Sequence, residues 1–375
     1  MADENPGPAL GDVLDDGQAR ALIGATSGAE DLRVGGATMT IGSAGTLIIV
    51  DAGDVPGRSG VWNAREIRLL GPAPAPVLER LWDPPGFHLM VRVDEGLLHL
   101  GTGHAEVIGS HLPPGGTVYE LDDCTVRLQT SLNRALLDRV RPPRPVAARP
   151  GLEWLDDVNG DRALALERFV TGWYPATTDG AAKPPFVPGG STDLPTALAQ
   201  LYRLAVRRPG VLGAQNRIVE DPRRRTDRCG DMRVIGVENQ GGFHWSTLWT
   251  PGEPEDDPTV WHRVHDEPPV AENEPLSGFL LQFALYEAAM GADYVATAHG
   301  LTGAEVEPLT RELRPVPLRP FVPGSAKRFH AAPGLVLSVS KSWREDRFNV
   351  WAGATDRGAL GLLPHDGVDW LVFDG

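Results

Sequence analysis

The sequence predicts an α+β protein in two parts, a β-rich first part and a second part in which strand pairs alternate with helices. Short apolar runs broken by Gly-Gly, Gly-Ser and Pro-Gly dominate residues 31–129, the pattern of many short strands. Helical spacing of apolar residues appears over 160–173, 194–205 and from 277 onward. Between the two regimes, Pro142, Pro143, Pro145 and Pro150 stand among arginines, so residues 141–150 form an extended, semi-rigid linker. A chain of 375 residues is long for one domain and long enough for two, each with an adequate core.

Residues 1–17 carry Asp, Glu, Gly and Pro with few large apolar groups, and are expected to be a disordered tail. Within the β-rich domain, 18–140, a short helix is expected at 18–23 and strands at 31–34, 38–41, 46–50 and 66–70. One or two helical turns over 76–82 end at Asp83-Pro-Pro. A meander of strands follows at 87–93, 96–100, 105–108, 117–121 and 125–129, with Gly101-Thr-Gly103 as one of its turns. Ser131 caps a helix through Arg139 whose apolar face is Leu132, Ala135, Leu136 and Val140.

In the second domain, 151–375, Leu164, Leu166, Phe169 and Val170 define a helix with Asp161 near its start. Leu194-Pro195 opens another, with the stripe Leu198, Leu201, Tyr202, Ala205. An arginine-rich loop over 221–231 leads into a hairpin: a strand with Val234 and Val237, a corner Glu238-Asn239-Gln240-Gly241-Gly242, and a return strand over 243–249. Asp256-Asp257-Pro258 ends the hairpin, because Pro258 lacks an N–H for the ladder. Trp261 then folds back over a sheet edge, and Ser277 caps an amphipathic helix carrying Phe279, Leu280, Phe283 and Ala284. Residues 300–323 read as a connector, 335–339 and 347–352 as a strand pair, and 360–363 and 370–373 as late strands.

Glu-Asn-Gln-Gly at 238–241, Trp245, Asp-Asp-Pro-Thr-Val-Trp at 256–261 and Leu-Ser-Gly-Phe-Leu at 276–280 together resemble the bacterial branch of the SUKH superfamily, which includes the Smi/Knr cell-wall regulators. The likeness spans roughly 150–375, and the Leu194-Pro195 helix is similar to one near the start of that family's sheet. It implies a SUKH-like curved, mostly antiparallel sheet backed by helices. It also implies a non-catalytic protein-binding role, in many bacterial members immunity to a toxin. On that reading the contacting set is Glu238, Asn239, Gln240, Trp245, Asp257 and Trp261. The corner's polar groups either knit the hairpin to the Asp257-Pro258 loop or line a recognition surface with the two tryptophans.

A formal net charge of −15 argues against direct nucleic-acid binding and suits a basic protein partner, such as a toxic nuclease. No apolar run is long enough to span a membrane and the N-terminus carries no export signal, so a cytoplasmic protein is expected. Cys124 and Cys229 lie in unlike contexts and propose neither a disulfide framework nor a zinc site.

Candidates for chemistry are thin, and no catalytic residue, metal or cofactor is expected. Ser338-Val-Ser-Lys341 has the spacing of a serine–lysine pair but reads as a strand. His99, His104 and His111 are separated by turns, and His262 and His265 fall in a Pro-flanked loop. Asp156-Asp157, Asp256-Asp257 and the Glu272, Glu274 pair read as solvated loop charges, and Arg223-Arg224-Arg225 as a solvated basic loop. The competing class is a regulatory or scaffold protein with two binding domains; a hydrolase using scattered carboxylates is a remote third.

Overall fold

A computed structural model describes residues 7–25, 29–52, 64–82, 86–142, 148–177, 194–222, 224–227, 230–248, 255–265, 267–344, 346–364 and 367–374. The chain is α+β and divides into two compact units, Met1–Pro145 with Asp374, and Val146–Phe373 with Gly375.

In the first unit the elements are β1 (Val13–Leu14), α1 (Asp16–Leu22), β2 (Asp31–Val34), β3 (Ala37–Ile41), β4 (Thr46–Asp51), β5 (Glu66–Leu70), α2 (Ala75–Trp82), β6 (Phe87–Val93), β7 (Gly96–His111), β8 (Glu120–Leu128) and α3 (Arg134–Val140). The strands make one sheet in the order β2-β3-β4-β6-β7-β8-β5, with β1 added to β7. Only β4 and β6 run parallel, joined by a crossover through β5 and α2. Period-two alternation sorts the side chains onto two faces: Ile48, Leu89 and Leu98 meet α2 and α3, while their neighbours Leu47, Met90 and Leu97 meet Ala19 and Ile23.

Four expectations change here, one of them being that the strands expected at 117–121 and 125–129 are the single strand β8. The segment before residue 18 is held in place among its described residues: β1 pairs with β7, and Asp15 caps α1 by accepting from Gln18 N–H. The strands expected at 96–100 and 105–108 are one strand. Gly101 (φ +100°) and Gly103 run through it, and the register slips opposite Leu89 and Met90, so the glycines make a bulge rather than a turn. Asn133, not Ser131, caps α3.

The second unit contains α4 (Trp154–Asp157), α5 (Arg162–Trp173), α6 (Thr196–Arg207), β9 (Arg217–Ile218), β10 (Arg224–Asp227), β11 (Gly230–Val237), β12 (Phe243–Leu248), β13 (Thr259–Val264), β14 (Val270–Pro275), α7 (Leu276–Met290), β15 (Tyr294–Leu301), α8 (Gly303–Thr310), β16 (Arg314–Pro315), β17 (Arg328–Ala332), β18 (Leu335–Lys341), β19 (Phe348–Ala354), α9 (Arg357–Leu360) and β20 (Val372–Phe373). They form two antiparallel sheets rather than one. The first runs β10-β11-β12-β13-β14 with β9 on β11; the second runs β16-β17-β18-β19-β15-β20.

α7 is apolar on every side, and it packs against α5, α6, β14, β18 and β19. A helix without a polar face has to be enclosed. Its approach to β19 is close enough that a Cβ on Gly353 would lie 2.2 Å from the Ala288 carbonyl oxygen. The helix is therefore central rather than an amphipathic backing. Ser277 is not its cap: the Ser277 N–H and hydroxyl both donate to Asp257, at 2.7 and 2.8 Å. Residues 300–323 hold α8, 221–231 holds β10, and of 360–363 Leu360 ends α9 and the rest follow it as a turn instead of forming a strand.

Candidate functional site

The hairpin that suggested a recognition surface exists, as β11 and β12, but its predicted contact residues separate. The corner satisfies itself: the Glu238 carboxylate accepts from Gln240 N–H and Gly242 N–H at 3.0 Å each, and Gly241 takes φ +75°. Asn239 and Gln240 remain exposed at the tip. Asp257 is used on the first turn of α7. Trp261 lies within β13, paired with Ser246 and Ala271, and does not fold over an edge.

Trp245 is a core residue. It is fully buried, edge-on to Phe243, Phe279 and Phe283 and stacked on Phe321 at 6.1 Å. Its indole N–H needs a buried acceptor, and Glu272 supplies one at 2.9 Å. The other Glu272 oxygen accepts from Val322 N–H at 3.2 Å. Burial pushes this carboxyl up to about 7, against the opposing pull of both donors and of Lys327. Lys327 is moved the other way: burial brings its amine down to about 7, opposed by the charges of Glu272 and Glu287. The Lys327 amine lies 3.5 Å from the centre of the Tyr286 ring, a cation–π position.

Between Phe321 and Lys327 the chain makes a tight loop in which Val322 (φ 59°), Gly324 (φ 86°) and Ala326 (φ 47°) are all left-handed. For the two non-glycine residues such backbone costs about 1 kcal/mol or more each, and the surrounding packing has to hold it. A strained loop thus closes over Glu272, which accepts from its Val322 N–H, and ends in Lys327.

Glu274 and Glu287 complete the buried acids around α7, contrary to the expectation of solvated charges at 272 and 274. Glu274 bridges Arg162 (2.7 Å) and Arg319 (3.1 Å). Burial raises its pKa, but the hydrogen bonds and charges of the arginines outweigh that, and the net shift is downward. Glu287 accepts from the N–H groups of Ala214, Gln215 and Asn216 at 2.8 to 2.9 Å, anchoring that turn to α7.

Two further features were not legible as sites. A cavity of about 460 Å³ opens between α4, α5 and the turn joining β17 to β18, lined by Trp154, Phe169, Trp173 and Arg168. Phe169 stacks on Trp173 at 5.8 Å, Trp154 meets it edge-on, and Arg168 pairs with Asp157 at 2.6 Å. At the tip joining β18 to β19, Trp343 is 87% exposed, with the Arg344 guanidinium 4.9 Å from its ring.

The other candidates resolve as ordinary structure. Ser338 and Lys341 lie on β18. His99 is buried against His88 (3.5 Å) and the Ala9 carbonyl (3.2 Å), and His111 pairs with Asp122 at 2.7 Å, so His99 and His111 have different partners. His262 is in β13, not in a loop. Asp156 pairs with Arg314, Arg224 pairs with Asp231, and Asp256 accepts from the Thr196 hydroxyl. Cys124 is buried and its thiol pushed up to about 12; Arg223 and Cys229 lie outside the described residues. Among the described residues no three His, Cys, Asp or Glu side chains are grouped to hold a metal, and no helix is long and apolar enough to cross a membrane.

No protein-family model matches the chain, and no curated protein or solved structure matches it either, so the likeness to the SUKH superfamily rests on the residues quoted for it above.

Proposed function

We propose that this chain is a non-catalytic protein-binding protein of the immunity type, acting in the cytoplasm by occupying or blocking a toxin. The observation that carries the reading is Trp343, a large aromatic held out in solvent at a hairpin tip with Arg344 packed on its ring. Trp and Arg are the residue types that most often anchor protein interfaces, and an indole left in water gains most from being covered. Asn239 and Gln240, at the tip of the β11–β12 hairpin, are the exposed members of the expected contact set.

The charge works at two ranges. The net −15 steers a partner of positive net charge, such as a nuclease, toward the chain. Around Trp343 the sequence sets Lys341, Arg344 and Arg347 against Glu345 and Asp346, a small positive excess, and the Arg344 guanidinium on the ring offers a contact to carboxylates or ring faces on that partner. A scaffold with two binding domains is the second reading, supported by the separate core of the first unit.

The test is co-expression with the product of the neighbouring gene. Rescue from toxicity and a stable complex are expected, and Trp343→Ala should weaken that complex by about tenfold or more, the effect of removing an interface anchor. Failure of the wild-type chain to rescue or to bind rejects the reading, whereas binding unchanged in the variant moves the contact away from this hairpin.

A further inference from the structure

We propose that a second copy of this chain pairs with the free edge of β7 in the first unit, joining two sheets antiparallel into one. β7 is 16 residues long and changes partners along its length. Its N-terminal part lies beside β6 as far as Gly103, which pairs with Phe87. From His104 to His111 it continues beside β8 alone among the described residues, leaving one side of an eight-residue stretch without a strand partner.

That edge differs from the sheet's ordinary borders. The terminal strands β2 and β5 hold only four and five residues and carry charged side chains, which is how sheet edges are normally kept from pairing. The overhang of β7 is longer, at about 26 Å from eight residues, and contains neither Pro nor Lys. Its one acid, Glu106, is neutralised by Arg127 at 2.6 Å. Val107 is 60% exposed, and Leu112, Val118 and Tyr119 on the same hairpin are also exposed. Apolar surface concentrated on one hairpin beside open backbone groups marks an association site.

The stretch suits itself as a partner. The β7–β8 ladder slips register at 105–107 and at 109–110, bracketing Val107 and Ile108. An antiparallel copy centred there sets Val107 against Ile108, Glu106 against Gly109, Ala105 against Ser110 and His104 against His111. No acid faces an acid, and the apolar residues meet at the two-fold axis. The interface is isologous, so one open edge supplies both halves and closes the assembly at two copies.

Light scattering on the full chain across a wide concentration range tests this. The expected mass at high concentration is twice that of the 40.3 kDa chain, with dissociation on dilution. Val107→Lys, which places a charge on an exposed edge position, should give a monomer with unchanged circular dichroism and the melting temperature of dilute wild type. Hydrogen exchange provides a readout without mutation: amides of 104–111 should slow as concentration rises while those of β2 do not. A wild-type chain that stays monomeric, a dimer that Val107→Lys leaves intact, or concentration-independent exchange at 104–111 would overturn the proposal.

Discussion

Glu272 and Glu274 stand two residues apart on β14, and that spacing turns both carboxylates inward while Ala271 and Asn273 face out. The strand is inside-out by the usual rule of apolar within and polar without, so residue type alone pointed to a solvated loop. What reverses it is the set of groups waiting inside: the Trp245 indole for Glu272, and two arginines for Glu274. Glu272 yields a pH prediction. Its usual value of 4.5 is raised to about 7 on folding, so the folded chain keeps a proton that the unfolded chain releases. Its contribution to stability is complete below pH 4.5 and is lost as pH rises through about 7. Glu272→Gln removes that decline, at the cost of one acceptor for Val322 N–H. Between about pH 5 and pH 8 the urea midpoint of the variant should therefore rise relative to wild type, by up to about 1.4 kcal/mol of stability per pH unit. A difference that stays constant over that interval would show that Glu272 is not protonated in the fold.

At the scale of elements, Asp257 joins a loop to the central helix. It accepts from Ser277 N–H and hydroxyl, in place of a cap from Pro275, which immediately precedes α7 and offers none. Asp257→Ala should cost about 1 kcal/mol in urea denaturation, within the range of lost helix caps, and Asp257→Asn should recover much of it because the amide oxygen still accepts. Equal losses in both variants would make the carboxylate's charge, rather than its hydrogen bonds, the stabilising feature. Most element positions were readable: 31–34, 66–70 and 87–93 are strands where alternating apolar runs place them, and the hairpin 230–248 turns on Gly241. Three kinds of element were not. β13 is flanked by Pro258 and by Pro268-Pro269, and β14 carries two acids and Pro275, so this stretch looks like a loop although it completes a sheet. α8 lay in a stretch read as a connector despite its capping box, Thr302 with Glu305, because Pro308 and the prolines beyond it dominated the reading. α7 was recognised as a helix, but its lack of a polar face was missed, and that lack is what makes it central.

For the whole molecule, charge is the property that carries furthest. A net −15 acts over about a Debye length and chiefly accelerates encounter with a basic partner. The association rate with such a partner, followed by stopped-flow fluorescence, should fall by about tenfold or more from low to physiological salt while dissociation changes little. A salt-independent association rate would leave the acidity without a role in partner choice. The sequence by itself determined the α+β class, the acidic balance, the strand-rich first part, the hairpin turning at 238–242 and the existence of a helix from about Ser277. These follow from composition and from local period, which neighbouring residues settle among themselves. Only the tertiary structure decided that Trp245 is core, that Glu272, Glu274 and Glu287 are buried, that Lys327 lies on Tyr286, and that Trp343 is held out in solvent. An indole or a carboxylate has no burial of its own: the packing of distant segments around it creates or withholds a partner for its polar atoms, and local sequence does not contain that information.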